Sequence, residues 1–217
     1  MITWAIDAPD HFRRIDPMIA HQVIRSLCLV ILMVQCGTAI TWAQRSEFHI
    51  YKGDEKVGNI LIDRRMQGEA VHYRMESYSE FQLIWTQAVR TSVVTEYLNG
   101  TINYCHTSIK VNDAIRDSSF MRLGGTSTEC YVHPEKASNC GPGNDWTTAR
   151  MYYEEPVRAR SVYVESVLAD CVLETSGPGT YTLTFPNDTK NHYIYRNGIL
   201  HEIQVIRPFF DLVFKRA

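Results

Sequence analysis

The feature that most constrains the fold of this chain is a regular alternation of apolar and polar residues that starts near Glu47. Along residues 71–77, for example, Val71, Tyr73 and Met75 fall on one face, and more polar residues fall between them. This two-residue period is typical of β-strands with one buried face. Asn-Gly pairs at 99–100 and 197–198 accept positive φ at both central positions, so they predict two-residue hairpins.

Two such hairpins indicate antiparallel pairing between strands that are consecutive in the chain. Shorter runs between the hairpins are separated by glycine- and proline-containing breakers, and they cover 118–123, 128–133, 150–154, 161–167, 171–175 and 180–185. No helical apolar stripe longer than two turns follows residue 44. The sequence therefore predicts an all-β fold, a single antiparallel meander of about ten strands curved into a barrel or half-barrel, with an N-terminal signal helix.

The beginning of the chain resembles an export signal. The apolar run Leu27–Val34 follows Arg25 and precedes the small-residue step Thr41-Trp42-Ala43, which is the anatomy of a secretory signal peptide. We expect an upstream extension at 1–17, a signal peptide at 18–43 and a single β domain at 44–217, exported to the periplasm or secreted. One alternative is an uncleaved leader that anchors the chain, although a spanning helix needs about 20 apolar residues. Another is lipidation at Cys36, where a small residue would have to replace Gln35.

The charge distribution and the motifs that the sequence lacks argue against several classes of function. The net charge is −2, and lysine and arginine are scattered along the chain, so nucleic-acid binding is not predicted. The sequence holds no P-loop, no dinucleotide glycine fingerprint and no GxSxG elbow, and its histidines show neither HxH nor HExxH spacing. We therefore predict no cofactor and no metal, and the oligomeric state is left open.

Removal of the leader would leave four cysteines, Cys105, Cys130, Cys140 and Cys171, in the β domain. In an oxidising compartment these predict two disulfides. The loop between Cys130 and Cys140 favours a bond there, which pairs Cys105 with Cys171. A metal site built from Cys105, Cys130, His133 and Cys140 is an alternative, but no CxxC pair supports it. A Cys105-His106 nucleophile and base is disfavoured because neighbouring strand residues face apart.

Several segments resemble a family of exported bacterial β-sheet proteins that consist of a domain of unknown function. The similar segments are Met151–Pro156, Val162–Ser166, the strand Val57-Gly58-Asn59-Ile60, the Asn-Gly hairpin at 99–100 and the tyrosine-rich stretch Tyr193–Gly198. The resemblance implies an all-β half-barrel, lipocalin-like or lipoprotein-carrier-like in shape. It implies no established activity and no catalytic residues.

Three functional hypotheses follow. In the first, the curved sheet binds a hydrophobic small molecule or lipid of the cell envelope, and the residues expected near the groove are Trp85, Tyr152, Tyr153, Tyr163 and Tyr195. The same tyrosines would also suit ordinary core packing. In the second, Glu154 or Glu155 acts with Glu165 as the acid and base of a hydrolase. In the third, the chain is an envelope structural or interaction protein without a small ligand, which uses a sheet edge or the 134–149 loop.

Overall fold

The computed structural model describes residues 42–82, 85–124, 127–133, 140–208 and 210–217, all within one compact unit, Ile40–Ala217. The strands are β1 Trp42–Lys52, β2 Glu55–Gln67, β3 Ala70–Gln82, β4 Thr86–Leu98, β5 Thr101–Val111, β6 Ala114–Gly124, β7 Ser127–His133, β8 Ser161–Val164, β9 Ala169–Gly177, β10 Thr180–Thr184, β11 Lys190–Arg196, β12 Ile199–Ile206 and β13 Asp211–Arg216. A single helical turn, α1, spans Thr148–Met151. Within these ranges no helix has the length and apolar character to span a membrane.

The 13 strands form one antiparallel sheet in the order β7-β6-β5-β4-β3-β2-β1-β13-β12-β11-β10-β9-β8. Consecutive strands are neighbours along β1–β7 and along β8–β13, and pairing of β1 with β13 joins the two halves. The sheet is curved and unclosed, which confirms the predicted all-β antiparallel meander. The two strands at its ends, β7 and β8, are consecutive in the chain.

The hairpins form where the sequence predicts them. Asn99 and Gly100 both have positive φ between β4 and β5, and Asn197 and Gly198 do the same between β11 and β12. Asn112 and Asp113 also have positive φ and join β5 to β6. The sequence analysis did not single out this third turn, because its second residue is not glycine and the signal is weaker.

The prediction of an extended run at 150–154 is wrong. Residues 148–151 form α1 instead, and a turn follows it. Thr147 is the N-cap: its backbone is extended and its hydroxyl accepts a hydrogen bond from the backbone N–H of Arg150 at 3.2 Å. The alternation at 150–154 was too short to tell a strand from one helical turn.

The sheet rolls so that the β8 end lies against the inner face of the opposite half. The Thr95 hydroxyl of β4 donates to the carboxylate of Glu165, which directly follows β8. The Ser119 hydroxyl of β6 donates to the backbone carbonyl of the same residue at 2.6 Å. The buried core accordingly forms two clusters, one mainly of β1, β2 and β8–β13 with Met151 and Tyr152, and the other between β3–β6 and further residues of the segment 140–168.

Candidate ligand-binding cleft

The inside of the rolled sheet is occupied largely by residues 140–168, which we call the inner segment. It begins at Cys140, which forms a disulfide with Cys130 of β7. It then passes along the free edge of β8, where the Tyr163 N–H donates to the Trp146 carbonyl at 2.8 Å. The inner segment therefore covers one end of the sheet and is tied covalently to the other.

Glu165 anchors the inner segment and is the most unusual residue of the interior, because it is an acidic residue of which only 1% is exposed. One carboxylate oxygen, Oε1, accepts from the Thr95 hydroxyl at 3.0 Å and from the Ala149 N–H at 3.1 Å. The other, Oε2, accepts from the Thr148 N–H at 3.2 Å and from the Thr148 hydroxyl. All four partners are donors, which suits a carboxylate. The N–H groups at the start of α1 would otherwise lack partners.

The tyrosines that the sequence analysis proposed as groove residues pack in or against the core, and the hydroxyls of Tyr153, Tyr163 and Tyr195 donate to backbone carbonyls. Tyr153 donates to the Ile62 carbonyl at 2.6 Å and to that of Gln44 at 3.1 Å. Tyr195 donates to the Met151 carbonyl and Tyr163 to the Cys140 carbonyl. The Tyr152 ring packs edge-on against Phe48, with 5.2 Å between the ring centroids. These contacts fasten the inner segment to the sheet.

Trp85, proposed for the same groove, lies apart from these tyrosines. It stands just before β4, and 63% of it is exposed. Neither Trp85 nor Tyr153, Tyr163 and Tyr195 lines the interior cleft described below; of the five residues proposed for ligand binding, Tyr152 does.

Each carboxylate proposed for hydrolysis has a structural partner. Glu154 forms ion pairs with Arg64 at 2.9 Å and with Arg150 at 2.8 Å. Glu155 accepts a hydrogen bond from the Tyr181 hydroxyl at 2.8 Å. Glu154 and Glu155 follow α1 in a turn rather than in the extended run predicted at 150–154. The Glu165 carboxylate accepts hydrogen bonds from Thr95, Thr148 and Ala149, as described above.

The cysteines follow the prediction in part. Cys130 and Cys140 are bonded, as expected. Cys105 and Cys171 are both free and buried, so the expected second disulfide is not formed. The reason is their placement: Cys105 on β5 and Cys171 on β9 belong to different core clusters, on strands that are not neighbours. The bond between Cys130 and Cys140 also removes two thiolates from the alternative metal site.

A cleft of about 150 Å³ remains between the two halves of the sheet, beside Glu165. One wall is the inner face of β3–β5, and the facing wall comes from β10–β11 and the inner segment. The lining residues are Met75, Thr91, Val93, Thr107, Ile109, Thr148, Tyr152, Val164, Glu165, Ser166, Phe185, Asn191 and Tyr193. The walls are thus mainly apolar, and the polar residues among them include Thr148, which binds Glu165. An apolar cavity of about this size accommodates a molecule as large as benzene.

Burial and the charge of Glu165 set the electrostatics of this interior. Burial raises the pKa of Tyr193 to about 12, and the charge of Glu165 adds to the increase. Burial, again reinforced by Glu165, raises the pKa of the Cys105 thiol. A thiol in that state is a poor nucleophile, because the thiolate is the reactive form. The environment of Cys105 therefore does not favour a cysteine hydrolase.

A larger groove of about 380 Å³ lies on the outer face of β2–β5. Its floor includes Ser92 and Ser108, and its rim carries Glu76, Arg90 and Lys110. This groove is shallow and of mixed charge. It differs from the inner cleft in having no fully buried residue in its lining. A test of ligand binding has to distinguish these two sites.

Sequence reasoning missed the polar residues of the interior. Thr95, Thr107 and Ser119 are buried on the inner faces of β4–β6. Their two-residue spacing from apolar neighbours such as Val93 and Met121 was the available signal, because it places them on the buried face. Among the described residues, no group of three or more histidine, cysteine or acidic side chains could hold a metal ion.

Comparison with known proteins finds a similar solved structure. The chain is similar to a solved structure from Brucella abortus, described as a β-barrel-like protein of Domain of Unknown Function DUF1849, with a TM-score of 0.49 and 9% sequence identity over 80% of this chain and 95% of that one. That protein is of the kind named from the sequence, a barrel-like β domain of unknown function. No family model matches the chain. No curated protein matches it either.

Proposed function

We propose that this chain is a binding or carrier module for a small hydrophobic molecule or lipid of the cell envelope, which it holds in the inner cleft. The observation that carries the proposal is the space of about 150 Å³ between Met75, Val93 and Ile109 on one side and Phe185 and Tyr193 on the other. Concave, mainly apolar sites with a few convergent polar groups are typical of small-molecule binding. The cleft would hold one apolar group, and a longer chain would extend through its open side.

An exported location fits this role. The disulfide between Cys130 and Cys140 is the kind of bond that persists in oxidising compartments. The leader-like stretch at 18–43 lies outside the described residues up to position 41, and Trp42 and Ala43 already belong to β1. Cys36 and residues 134–139 of the proposed contact loop also lie outside the described residues. We keep export through the leader-like stretch as part of the proposal.

Native mass spectrometry of the full chain, purified from its own host without detergent, tests for a retained apolar ligand. Binding is then measured with the uncharged fluorophore N-phenyl-1-naphthylamine. Ile109→Trp places an indole in the inner cleft, and we expect it to weaken binding at least about tenfold. Lys110→Trp is the matched control, because residue 110 is the next on β5 and lines the outer groove.

The two variants separate the outcomes. Loss of binding in Ile109→Trp alone, with unchanged urea unfolding, supports the inner cleft. Loss in Lys110→Trp alone would assign binding to the outer groove and overturn the proposal. If the protein neither retains an apolar molecule nor binds the fluorophore, the carrier hypothesis is wrong. That result would favour the hypothesis of an envelope structural or interaction protein without a small ligand.

A further inference from the structure

Thr107 has a buried hydroxyl that the protein itself leaves unused. The residue is 1% exposed, and its Oγ1 has no hydrogen-bond partner among the described residues. It lines the inner cleft beside Glu165. A buried hydroxyl without a partner costs about 1 to 3 kcal/mol, so such groups are commonly satisfied by a molecule from outside the chain.

The nearby buried hydroxyls differ from that of Thr107, because each of them has a hydrogen-bond partner. In the register of the sheet Thr107 lies between Val93 of β4 and Ser119 of β6. The Ser119 hydroxyl binds the backbone carbonyl of Glu165, and the Thr95 hydroxyl binds its carboxylate. The buried hydroxyls of Thr95 and Ser119 therefore donate hydrogen bonds to the inner segment. The hydroxyl of Thr107 remains available for a hydrogen bond at the wall of the cleft.

The charge of the cleft limits what can bind there. Glu165 lines the cleft, and the four hydrogen bonds it accepts come from neutral donors, so within the part of the chain that the structure describes no ion pair balances the carboxylate. None of the described lining residues is lysine, arginine or histidine. A carboxylate or phosphate in this space would lie near a buried negative charge with no counter-ion, which is strongly unfavourable.

We propose, on the premise of the carrier function above, that the ligand class is an uncharged molecule with an apolar body and one hydrogen-bond acceptor, such as an ester or alcohol, and that Thr107 binds this acceptor. The Thr107 hydroxyl donates the hydrogen bond, and the apolar body packs against Val93, Ile109 and Phe185. Free fatty acids are disfavoured although their chains would fit. Thr107 is thus a specificity-determining residue of the site.

The test compares a neutral ester with the corresponding carboxylate. Binding of methyl decanoate and decanoate to the full chain is measured at pH 8 by displacement of N-phenyl-1-naphthylamine, with pentylbenzene as a ligand that lacks a polar end. We expect methyl decanoate to bind at least about tenfold more tightly than decanoate. In Thr107→Val, which conserves shape, methyl decanoate should bind about five- to tenfold more weakly, and pentylbenzene should bind as in the wild type.

The outcomes distinguish the inference from its premise. Equal binding of decanoate and methyl decanoate would overturn the uncharged class. Unchanged methyl decanoate binding in Thr107→Val would show that water alone satisfies the hydroxyl, and would overturn the role of Thr107. In both cases pentylbenzene binding that Ile109→Trp abolishes would leave the carrier function standing. If none of the three ligands binds, the carrier function itself has failed.

Discussion

Two threonines at neighbouring positions of the inner face, Thr95 and Thr107, both have buried hydroxyls but differ in hydrogen bonding. Thr95 is fully buried and donates to the Glu165 carboxylate at 3.0 Å. Thr107 is equally buried but has no partner within the described residues. A buried hydrogen bond to a charged group is expected to stabilise the fold, whereas an unused buried hydroxyl destabilises it.

Replacement of each threonine by valine tests this contrast in the unliganded protein. Thr95→Val should lower the free energy of unfolding by about 2 kcal/mol, because Glu165 loses a donor that cannot be replaced in the interior. Thr107→Val should leave it unchanged or raise it by up to about 1 kcal/mol. Urea unfolding with unchanged m-values measures both. Equal losses in the two variants would contradict the assignment of hydrogen bonds.

Gly58 is the residue whose smallness the sheet requires most clearly. A Cβ at this position would lie 2.1 Å from the Tyr78 carbonyl oxygen and 2.6 Å from the Ser79 Cα, both of them backbone atoms of β3. The register between β1 and β2 also shifts beside it. The glycine in the Val57-Gly58-Asn59-Ile60 segment, which the sequence analysis noted only as a resemblance, thus has a steric cause.

We expect Gly58→Ala to lower the free energy of unfolding by about 3 kcal/mol, because two strands must move apart to admit the methyl group. Gly177→Ala is the matched control: it also lies on a strand, and a methyl group there would have no other atom within 4 Å. Its effect should stay within about 1 kcal/mol. Chemical denaturation of both variants gives the comparison, and similar losses would rule out the steric explanation.

At the scale of elements, the inner segment determines how much of the concave face is left open. It is held at its start by the Cys130–Cys140 bond, at α1 by Glu165 and at the following turn by Tyr153. Without this segment, which includes β8, the other 12 strands would expose their apolar inner face. The cleft is therefore the space that the inner segment does not fill.

The disulfide should contribute measurably to stability, because it closes a loop with a sequence separation of 10. Loss of the bond in Cys130→Ala/Cys140→Ala should cost about 2 to 3 kcal/mol. Dithiothreitol should destabilise the wild type by a similar amount and leave the double variant unaffected, as thermal unfolding would show. A wild type that does not respond to dithiothreitol would indicate that the bond is absent or without consequence.

At the scale of the whole molecule, strands and hairpins were predictable because each depends on local pattern. The alternation of apolar and polar residues predicted which face of β3 is buried. Asn99-Gly100 predicted a turn because both residues accept positive φ. The curvature of the sheet was predicted, but the contacts that hold it rolled were not, because they join residues far apart in the chain, such as Thr95 and Glu165, which are 70 residues apart. For the same reason Glu165 was predicted as a catalytic candidate, although its contacts are those of an anchor.

The buried tyrosines make one more property of the whole molecule predictable, its response to alkaline pH. Burial raises the pKa of both Tyr73 and Tyr193 to about 12. In the unfolded chain a tyrosine loses its proton near pH 10. Between these values the unfolded state binds fewer protons than the folded state, so the free energy of unfolding decreases as the pH rises.

We therefore expect stability that is insensitive to these two groups below about pH 9 and that decreases between about pH 10 and pH 12, by up to about 1.4 kcal/mol per pH unit for each tyrosine. Tyr73→Phe should make this decrease shallower, because one of the groups that loses a proton on unfolding is removed. Urea unfolding at successive pH values gives the profile, and absorbance of tyrosinate near 295 nm reports the ionisation directly. A variant profile parallel to that of the wild type would mean that Tyr73 ionises as readily in the folded protein as in the unfolded chain, which the packing of its ring against Tyr97 and Tyr153 makes unfavourable.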